Sequence, residues 1–351
     1  MTKTIRGAEG KTSNVRSLLA IIALILIITF VVIGQTSNPL GKNAGSNATV
    51  TQQQAIEAAR SSGIPAIKVD PNGSEKYAAP LVEEALSSAS EDLPNNPSTL
   101  VVRYLDVGQG DCTLISCEGQ NLLLDGGDSS SSSKIYSILE RLNIKRLDYV
   151  IVTHPDADHC GGISGALSFA ACGTCFSPTI ESDTNTFSTL LRTLDKQGKQ
   201  MTVPSLHDSF KLGKTTVTFV SPTQEFSGTN NASLIVRIDY GSTSFLFTGD
   251  AESPSEYALV ADNASLSADV LKIGHHGSAT STTPLFLDAV NPAYAIISVG
   301  PNSYGHPSNT VLEDLASHGI ESMRTDLDGT IIVKSNGSTL TFDSVKGLVN
   351  E

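Results

Sequence analysis

From residue 99 onwards, short apolar and β-branched runs alternate with polar turns, a pattern typical of strands that are buried on one or both faces. Two segments instead space their apolar residues at helical intervals, which predicts helices at 134–143 and 186–196. We predict a further helix at 309–316. The predicted strands lie at 99–107, 113–116 and 121–124, at 147–152, within 201–212, at 215–221, after residue 233, and at 244–250, 268–273 and 293–299.

A different hydrophobic pattern marks the N-terminus, where residues 17–41 carry no charge and 18–34 form an almost continuous apolar run. Its length is close to the roughly 20 residues that span a bilayer core. Four cations precede it, namely Lys3, Arg6, Lys11 and Arg16. We therefore predict a cytoplasmic N-terminus at 1–17 and a single-pass membrane anchor at 18–34, with the rest of the chain outside the cytoplasm. A cleaved signal peptide is the alternative, and it would export the same domain.

Residues 35–98 are rich in Ser, Asn, Gly, Pro, Ala and Thr and contain few large apolar side chains. Such a stretch cannot bury enough apolar surface to fold alone, so we predict a flexible low-complexity linker, with short helices at 52–60 and 81–88. Residues 99–351 remain as the globular domain.

The charge of the chain lies on that domain. Residues 1–98 contain eight basic and eight acidic residues, whereas 99–351 contain 15 basic and 28 acidic ones, which accounts for the net charge of −13. Tight non-specific binding to DNA normally requires a basic face. We therefore expect any binding to DNA to be weak.

The strongest chemical signal is the segment 153–162, which places His154, Asp156, Asp158 and His159 within six positions and then turns on two glycines. A strand precedes it and would deliver the four side chains from a rigid support. Histidine nitrogen with carboxylate oxygen suits Zn²⁺, Mn²⁺ or Fe²⁺, and the absence of a thiolate from the motif argues against a structural zinc knot. Polar loop residues without a shared task are the alternative.

This motif resembles the His-x-His-x-Asp-His signature of the metallo-β-lactamase superfamily, with Asp156 where many members have the second His. Asp106-Val-Gly-Gln-Gly-Asp111 lies upstream and Lys272-Ile-Gly-His-His-Gly-Ser278 downstream. Together the three motifs are similar to those of the ComEC-like group of DNA-uptake proteins, over residues 99–345. The resemblance implies an α/β fold, the αββα sandwich of two mixed sheets with helices outside. It also implies a hydrolase that uses one or two divalent ions, Zn²⁺ or Mn²⁺.

The resemblance further implies that Asp250, in Thr-Gly-Asp, bridges two metals or caps one. It implies that a histidine of the Gly-His-His-Gly segment is the last ligand. His275 is preferred, with His276 as its neighbour, and their order stays open. Asp125 is either a residue that orients a ligating histidine or an ordinary turn residue.

One expected ligand is missing. Many superfamily members have a third histidine for the first metal near 230–233, where this chain offers only Asn230, Asn231 or Ser233. Neutral amide and hydroxyl oxygens bind a dication less well than imidazole, so we expect the first metal to be weak or absent.

The chemistry implied for such a site is attack by metal-activated water on an ester-type centre. Asp158 is a candidate catalytic residue, and His276 or His306 would stabilise negative charge and protonate the leaving group. By resemblance the substrate is a phosphodiester, which makes the chain a phosphodiesterase or nuclease. An envelope ester, phosphocholine or lactone substrate is the alternative, and a non-catalytic exported metal-binding module is a third hypothesis.

The five cysteines leave their pairing open. Cys112 with Cys117 and Cys172 with Cys175 are the simplest disulfides for an exported domain. Cys160 borders the metal motif, and we expect a plain buried thiol there rather than a ligand.

Overall fold

The structure is a computed structural model that describes residues 99–345 apart from 223, 263 and 264. The predicted cytoplasmic segment, anchor and linker at 1–98 lie outside the described residues. Within the described part of the chain, no helix has both the length and the apolar character that crossing a membrane requires.

The described residues form fifteen strands and eight α-helices. The strands are β1 (Leu100–Tyr104), β2 (Thr113–Cys117), β3 (Gln120–Leu124), β4 (Arg146–Ile151), β5 (Ala171–Phe176), β6 (Met201–Thr202), β7 (Ser209–Leu212), β8 (Thr215–Phe219), β9 (Val236–Tyr240), β10 (Thr243–Phe247), β11 (Val270–Lys272), β12 (Tyr294–Ile297), β13 (Glu321–Arg324), β14 (Thr330–Ser335) and β15 (Leu340–Val345). The helices are α1 (Ser132–Arg141), α2 (Ala157–Cys160), α3 (Ile163–Phe169), α4 (Asn185–Lys196), α5 (Ser253–Ala261), α6 (Pro284–Val290), α7 (Asn309–Ser317) and α8 (Thr325–Asp328).

The strands make two mixed sheets. The first has eight strands in the order β15-β14-β1-β2-β3-β4-β5-β6, and the second has seven in the order β13-β12-β11-β10-β9-β8-β7. Strands β3 to β6 are parallel to one another, as are β10 to β13. The remaining neighbours are antiparallel, as in the pair β1–β14, where Leu100 lies opposite Ser335.

Three apolar clusters define the layers of the molecule. The central one joins side chains of both sheets, and in it the rings of Tyr104 and Phe247 stack with centroids 5.8 Å apart. A second cluster lies between the first sheet and helices α1, α3 and α4, and a third between the second sheet and helices α5, α6 and α7. The molecule is therefore the αββα sandwich that the resemblance implied.

Local sequence accounts for most of the elements. Helix α1 buries Ile135, Ile138 and Leu139, which share one helical face, and α4 begins where the Thr184 hydroxyl accepts a hydrogen bond from Phe187 N–H. Both helices lie within two residues of their predicted bounds. Residues 321–345 carried no predicted element, yet they form β13, β14 and β15.

Neither of the two simplest disulfides is formed, since all five cysteines are free thiols and all are buried. Cys112 packs in the cluster under the helices and Cys117 in the cluster between the sheets, so the two face opposite sides of the first sheet. Cys172 and Cys175 are both buried on the helix side, where their side chains hydrogen-bond without a covalent link. Cys160 is the plain buried thiol that was expected, with its Sγ donating to the carbonyl of Pro155 at 3.4 Å.

Candidate metal centre

The candidate site lies where parallel strands of both sheets end. His154 follows β4 in the first sheet, while Asp250 and His276 follow the neighbouring strands β10 and β11 in the second. Because the carboxyl ends of parallel strands meet at one edge of a sheet, distant parts of the chain converge there. The sandwich thus supports the site from two directions.

Four side chains form the tightest group, with one ligand atom from each lying within 4.8 Å of all the others: Asp158, His159, Asp250 and His276. His276 Nε2 lies 3.3 Å from Asp158 Oδ2 and 3.6 Å from Asp250 Oδ2. His159 Nε2 lies 3.1 Å from Asp250 Oδ1. We call these four residues the tetrad.

His154 and Asp156 border the tetrad. His154 Nε2 lies 3.9 Å from Asp250 Oδ2 and 3.7 Å from Asp156 Oδ2, and the His154 and His159 rings are 4.1 Å apart. His154 is fully buried, whereas the Asp156 side chain is 40% exposed. Asp250 therefore lies between the imidazole of His154 on one side and those of His159 and His276 on the other.

Unpartnered polar atoms show that the group suits a cation. The Nε2 atoms of His154, His159 and His276 and the Oδ1 atom of Asp250 are all buried without a hydrogen-bond partner. The 3.1 Å approach of His159 to Asp250 thus lacks hydrogen-bonding geometry, as expected when two ligands point at a common third position. A buried polar atom without a partner costs about 1–3 kcal/mol. A divalent cation would satisfy His159, His276 and Asp250, whose ligand atoms lie within 4.8 Å of one another.

Asp125 orients His159 from behind. Its carboxylate is fully buried, lies 3.0 Å from His159 Nδ1, and accepts hydrogen bonds from the Thr153 hydroxyl at 2.7 Å and from Thr153 N–H at 2.8 Å. Because Asp125 contacts Nδ1, the Nε2 atom of His159 is free to face the other three members of the tetrad. Asp125 therefore makes the contact expected of an orienting residue, and it also has the left-handed backbone of a turn, with φ 58°.

Asp111 lies behind His276, and no role was predicted for it. His276 Nδ1 lies 2.9 Å from the carbonyl oxygen of Ser298 and 3.2 Å from Asp111 Oδ1. The other oxygen of Asp111 lies 2.8 Å from Nζ of Lys272, and both side chains are almost completely buried. A lysine inside the apolar run 268–273 was the one available signal of this ion pair, since lysine is rarely buried unless it is paired.

The adjacent histidines adopt different positions. His275 and His276 both have left-handed backbone angles, with φ 47° and 54°, which costs roughly 1–3 kcal/mol for each residue and is typical of functional sites. His276 belongs to the tetrad. His275 is partly exposed beside it, with Nε2 3.7 Å from Asp250 Oδ2 and Nδ1 3.3 Å from Glu252 Oε1. The geometry thus favours His276 over the preferred His275 as the terminal ligand.

The segment 230–233, which lacks the third histidine, also lies beside the site. Asn231 is engaged elsewhere: its amide donates to Glu252 and its oxygen accepts from the N–H groups of Glu252 and Ser255 at the start of α5. Ser233 comes closer, since its hydroxyl accepts from Asp250 N–H at 3.2 Å and lies 3.4 Å from His154 Nδ1. Ser233 therefore supports two site residues from behind.

His306 lies at the solvent-facing edge of the site, which we call its mouth, in the loop after β12. Its ring centroid is 5.3 Å from that of His275 and 6.5 Å from that of His276, and its Nδ1 atom is buried without a hydrogen-bond partner. Burial, followed by the two neighbouring imidazoles, lowers the pKa of His306. The ring is therefore neutral at pH 7, with one N–H available to donate.

The charges of the tetrad and of His154 depend on one another. Burial opposes ionisation of Asp250, yet His159 and His276 hold the pKa of its carboxyl well below its usual range. Burial likewise opposes protonation of the two imidazoles, but Asp250 and Asp125 raise the pKa of His159 well above its ordinary value, and Asp250 raises the pKa of His276 to about 9. For His154, burial and the nearby His159 lower the pKa to about 3. The carboxylates therefore favour positive charge among them, carried by protons or by a cation.

Fold and site together are those of a metal-dependent hydrolase. The sequence profile of the Metallo-beta-lactamase superfamily matches residues 105–300, more than half of the chain. The chain belongs to the metallo-β-lactamase superfamily.

Among its relatives are a competence protein and a ComE operon protein. The chain is 31% identical over 263 residues to the competence protein ComA of Neisseria gonorrhoeae, an alignment that covers 74% of this chain and 35% of ComA. It is 30% identical over 261 residues to ComE operon protein 3 of Bacillus subtilis, covering 69% and 34% of the two chains. The chain thus spans about a third of the length of these relatives, and the resemblance to the ComEC-like group is confirmed.

A solved structure also resembles the chain. The metallo-beta-lactamase fold protein YhfI from Bacillus subtilis has 17% sequence identity and a TM-score of 0.48, over 67% of this chain and 100% of YhfI.

Proposed function

We propose that this chain is a metal-dependent phosphodiesterase of nuclease type. The observation that carries the proposal is the set of three buried imidazole Nε2 atoms and one carboxylate oxygen that converge without hydrogen-bond partners. The similarity to competence proteins supports a nucleic-acid substrate.

Asp158, His159, Asp250 and His276 would hold one cation, because their ligand atoms are mutually close. His154 and Asp156 would hold a second, weaker one with Asp250 shared between the two. Zn²⁺ and Mn²⁺ both suit imidazole and carboxylate ligands. When bound, such a cation supplies Lewis acidity, which makes water nucleophilic near neutral pH and stabilises developing negative charge.

Asp158, besides its place in the tetrad, and His306 would orient water and substrate. Burial raises the pKa of Asp158, but His276 and His159 outweigh it and lower the pKa, so the half-exposed carboxylate stays ionised and accepts a hydrogen bond from water at the mouth. His276 Nδ1 is hydrogen-bonded to the carbonyl oxygen of Ser298, and its Nε2 would bind the cation. We therefore assign to His306 the donation of an N–H to an oxygen of the substrate.

The test is hydrolysis by the purified full-length chain with added Mn²⁺ or Zn²⁺. Single-stranded DNA, bis(p-nitrophenyl) phosphate, a phosphocholine ester and a lactone panel are the substrates. We expect hydrolysis of the phosphodiesters that is abolished in Asp250→Asn and retained in Asp239→Asn, a change of a surface aspartate on β9. Activity confined to carboxylic esters or lactones would remove the nuclease assignment, and metal binding without any turnover would favour a non-catalytic module.

The proposal includes a single-pass anchor at 18–34 that places the domain outside the cytoplasm. The uncharged run at 17–41 and the four preceding cations support it. We expect the chain to remain in the membrane fraction after carbonate extraction and to be digested by protease added to spheroplasts. Release by carbonate, or protection of the domain in intact spheroplasts, would contradict it.

A further inference from the structure

The loop that carries His306 is built around one side chain. The Asn302 Oδ1 atom accepts hydrogen bonds from the N–H groups of Tyr304, Gly305 and His306 at 3.0, 3.0 and 3.1 Å. Its Nδ2 atom donates to the carbonyl oxygens of Gly300 and His306, both at 2.8 Å. Five hydrogen bonds therefore fix the backbone that presents residues 304–306.

Tyr304 is held at the tip of this loop with its ring in solvent. At 74% exposure, it is the most exposed large apolar side chain among those of residues 99–345 that the structure describes. Its ring lies beside that of His306, with centroids 5.6 Å apart and planes inclined by 31°. His306 in turn lies 5.3 Å from His275, so three rings lead from solvent to the edge of the tetrad.

The surroundings of the site offer little to grip phosphate. The sequence has no lysine or arginine in 104–133, 147–191, 238–271 or 273–323, which are the segments that bear the site. Lys272 is buried and paired with Asp111. Lys134, which follows the first of these segments, contacts Asp106. The segments that bear the tetrad and His306 therefore offer few basic side chains to a polynucleotide.

Stacking is a contact that Tyr304 can supply. An aromatic ring binds any unpaired base through its π face and needs no positive surface. Paired bases in a duplex are stacked on one another and do not offer that face at an exposed side chain. A ring fixed at the mouth of a hydrolytic site thus fits an unpaired base near the scissile bond.

We propose that Tyr304 is a stacking platform for an unpaired nucleobase of the substrate, so that the site acts on single strands. The inference rests on the proposed phosphodiesterase function and adds its substrate class. Tyr304 binds and orients the substrate and takes no part in bond cleavage.

The test compares a single-stranded oligonucleotide with an abasic strand of the same length, which keeps every phosphodiester and lacks the bases. In Tyr304→Ala we expect KM for the oligonucleotide to rise roughly 5- to 150-fold, the factor that corresponds to about 1–3 kcal/mol per stacked base. The kcat value and the KM for the abasic strand should not change. Tyr304→Phe should behave as wild type, and so should Tyr257→Ala, which removes an exposed tyrosine from α5.

Fluorescence provides a readout that needs no turnover. The chain contains no tryptophan, so Tyr304→Trp introduces a single reporter at the proposed platform. We expect the oligonucleotide to quench it and the abasic strand not to, while Tyr257→Trp responds to neither.

The outcomes separate the two ideas. If the wild type hydrolyses no phosphodiester, the proposed function fails, and quenching of Tyr304→Trp by the oligonucleotide alone would still support a base-binding platform. An unchanged KM in Tyr304→Ala, an equal rise for the abasic strand, or a lack of quenching overturns the platform even where hydrolysis is found.

Discussion

The buried pair of Asp111 and Lys272 allows a quantitative test of how the site is stabilised. Lys272→Met keeps most of the apolar stem and removes the ammonium group, which leaves the Asp111 carboxylate buried and without its partner at 2.8 Å. Burial opposes ionisation of Asp111, and it is Lys272, followed by His276, that holds the pKa of this carboxyl below its usual range. The substitution therefore removes the largest compensation for burying the charge.

Breaking a buried ion pair from one side costs about 3–5 kcal/mol. Because His276 Nδ1 remains 3.2 Å from Asp111 Oδ1, we expect the lower end of that range, about 3 kcal/mol. For a domain of this size that corresponds to a decrease in Tm of roughly 6–12 °C. Asp111→Asn combined with Lys272→Met removes both charges and should recover about 2 kcal/mol or more of the loss.

The assay is urea unfolding of the full-length chain in EDTA, followed by far-UV circular dichroism. Lys334→Met is the matched control, since Lys334 also lies on a strand and pairs with Asp343 at 3.2 Å, but at the surface, where such a pair contributes about 0–1 kcal/mol. A loss below about 1 kcal/mol in Lys272→Met, without recovery in the double variant, would refute the reasoning.

Three further predictions concern the site and the thiols. Asp125→Asn should weaken metal binding about 10- to 100-fold, measured in competition with a chelator, because the substitution loosens His159. Asp128→Asn, on the neighbouring turn, should leave the affinity unchanged. Equal affinities of the two variants would count against the orienting role of Asp125. The raised pKa of His276 implies stability that is complete below about 6.5 and lost as pH rises through about 9, so the Tm of EDTA-treated protein should fall over that interval and the fall should be smaller in His276→Gln. An identical pH dependence in the two proteins would disprove this. Ellman's reagent should detect no thiol in the folded chain and all five after denaturation without reductant, and a count below five would reveal a disulfide.

The sequence by itself determined where the chemistry begins. Apolar runs that end in Asp or His marked β4, β10 and β11 as the strands that deliver the candidate ligands, and the spacing of His154 to His159 marked the metal motif. These are local properties, because a strand and the loop after it are encoded by adjacent residues. The same holds for α1 and α4, whose apolar spacing lies within each helix, and for the Thr184 cap directly before α4.

Only the tertiary structure decided which side chains meet. His276 lies with Asp158, His159 and Asp250, whereas His275 lies beside Glu252. Both residues have a left-handed backbone, which is held by its surroundings rather than by its own sequence. Asp111 reaches Lys272 because the two sheets pack face to face, while Cys112 and Cys117 are kept apart because they lie on opposite faces of one sheet. Contacts between residues far apart in the chain follow from strand order and layer packing, which no local pattern encodes.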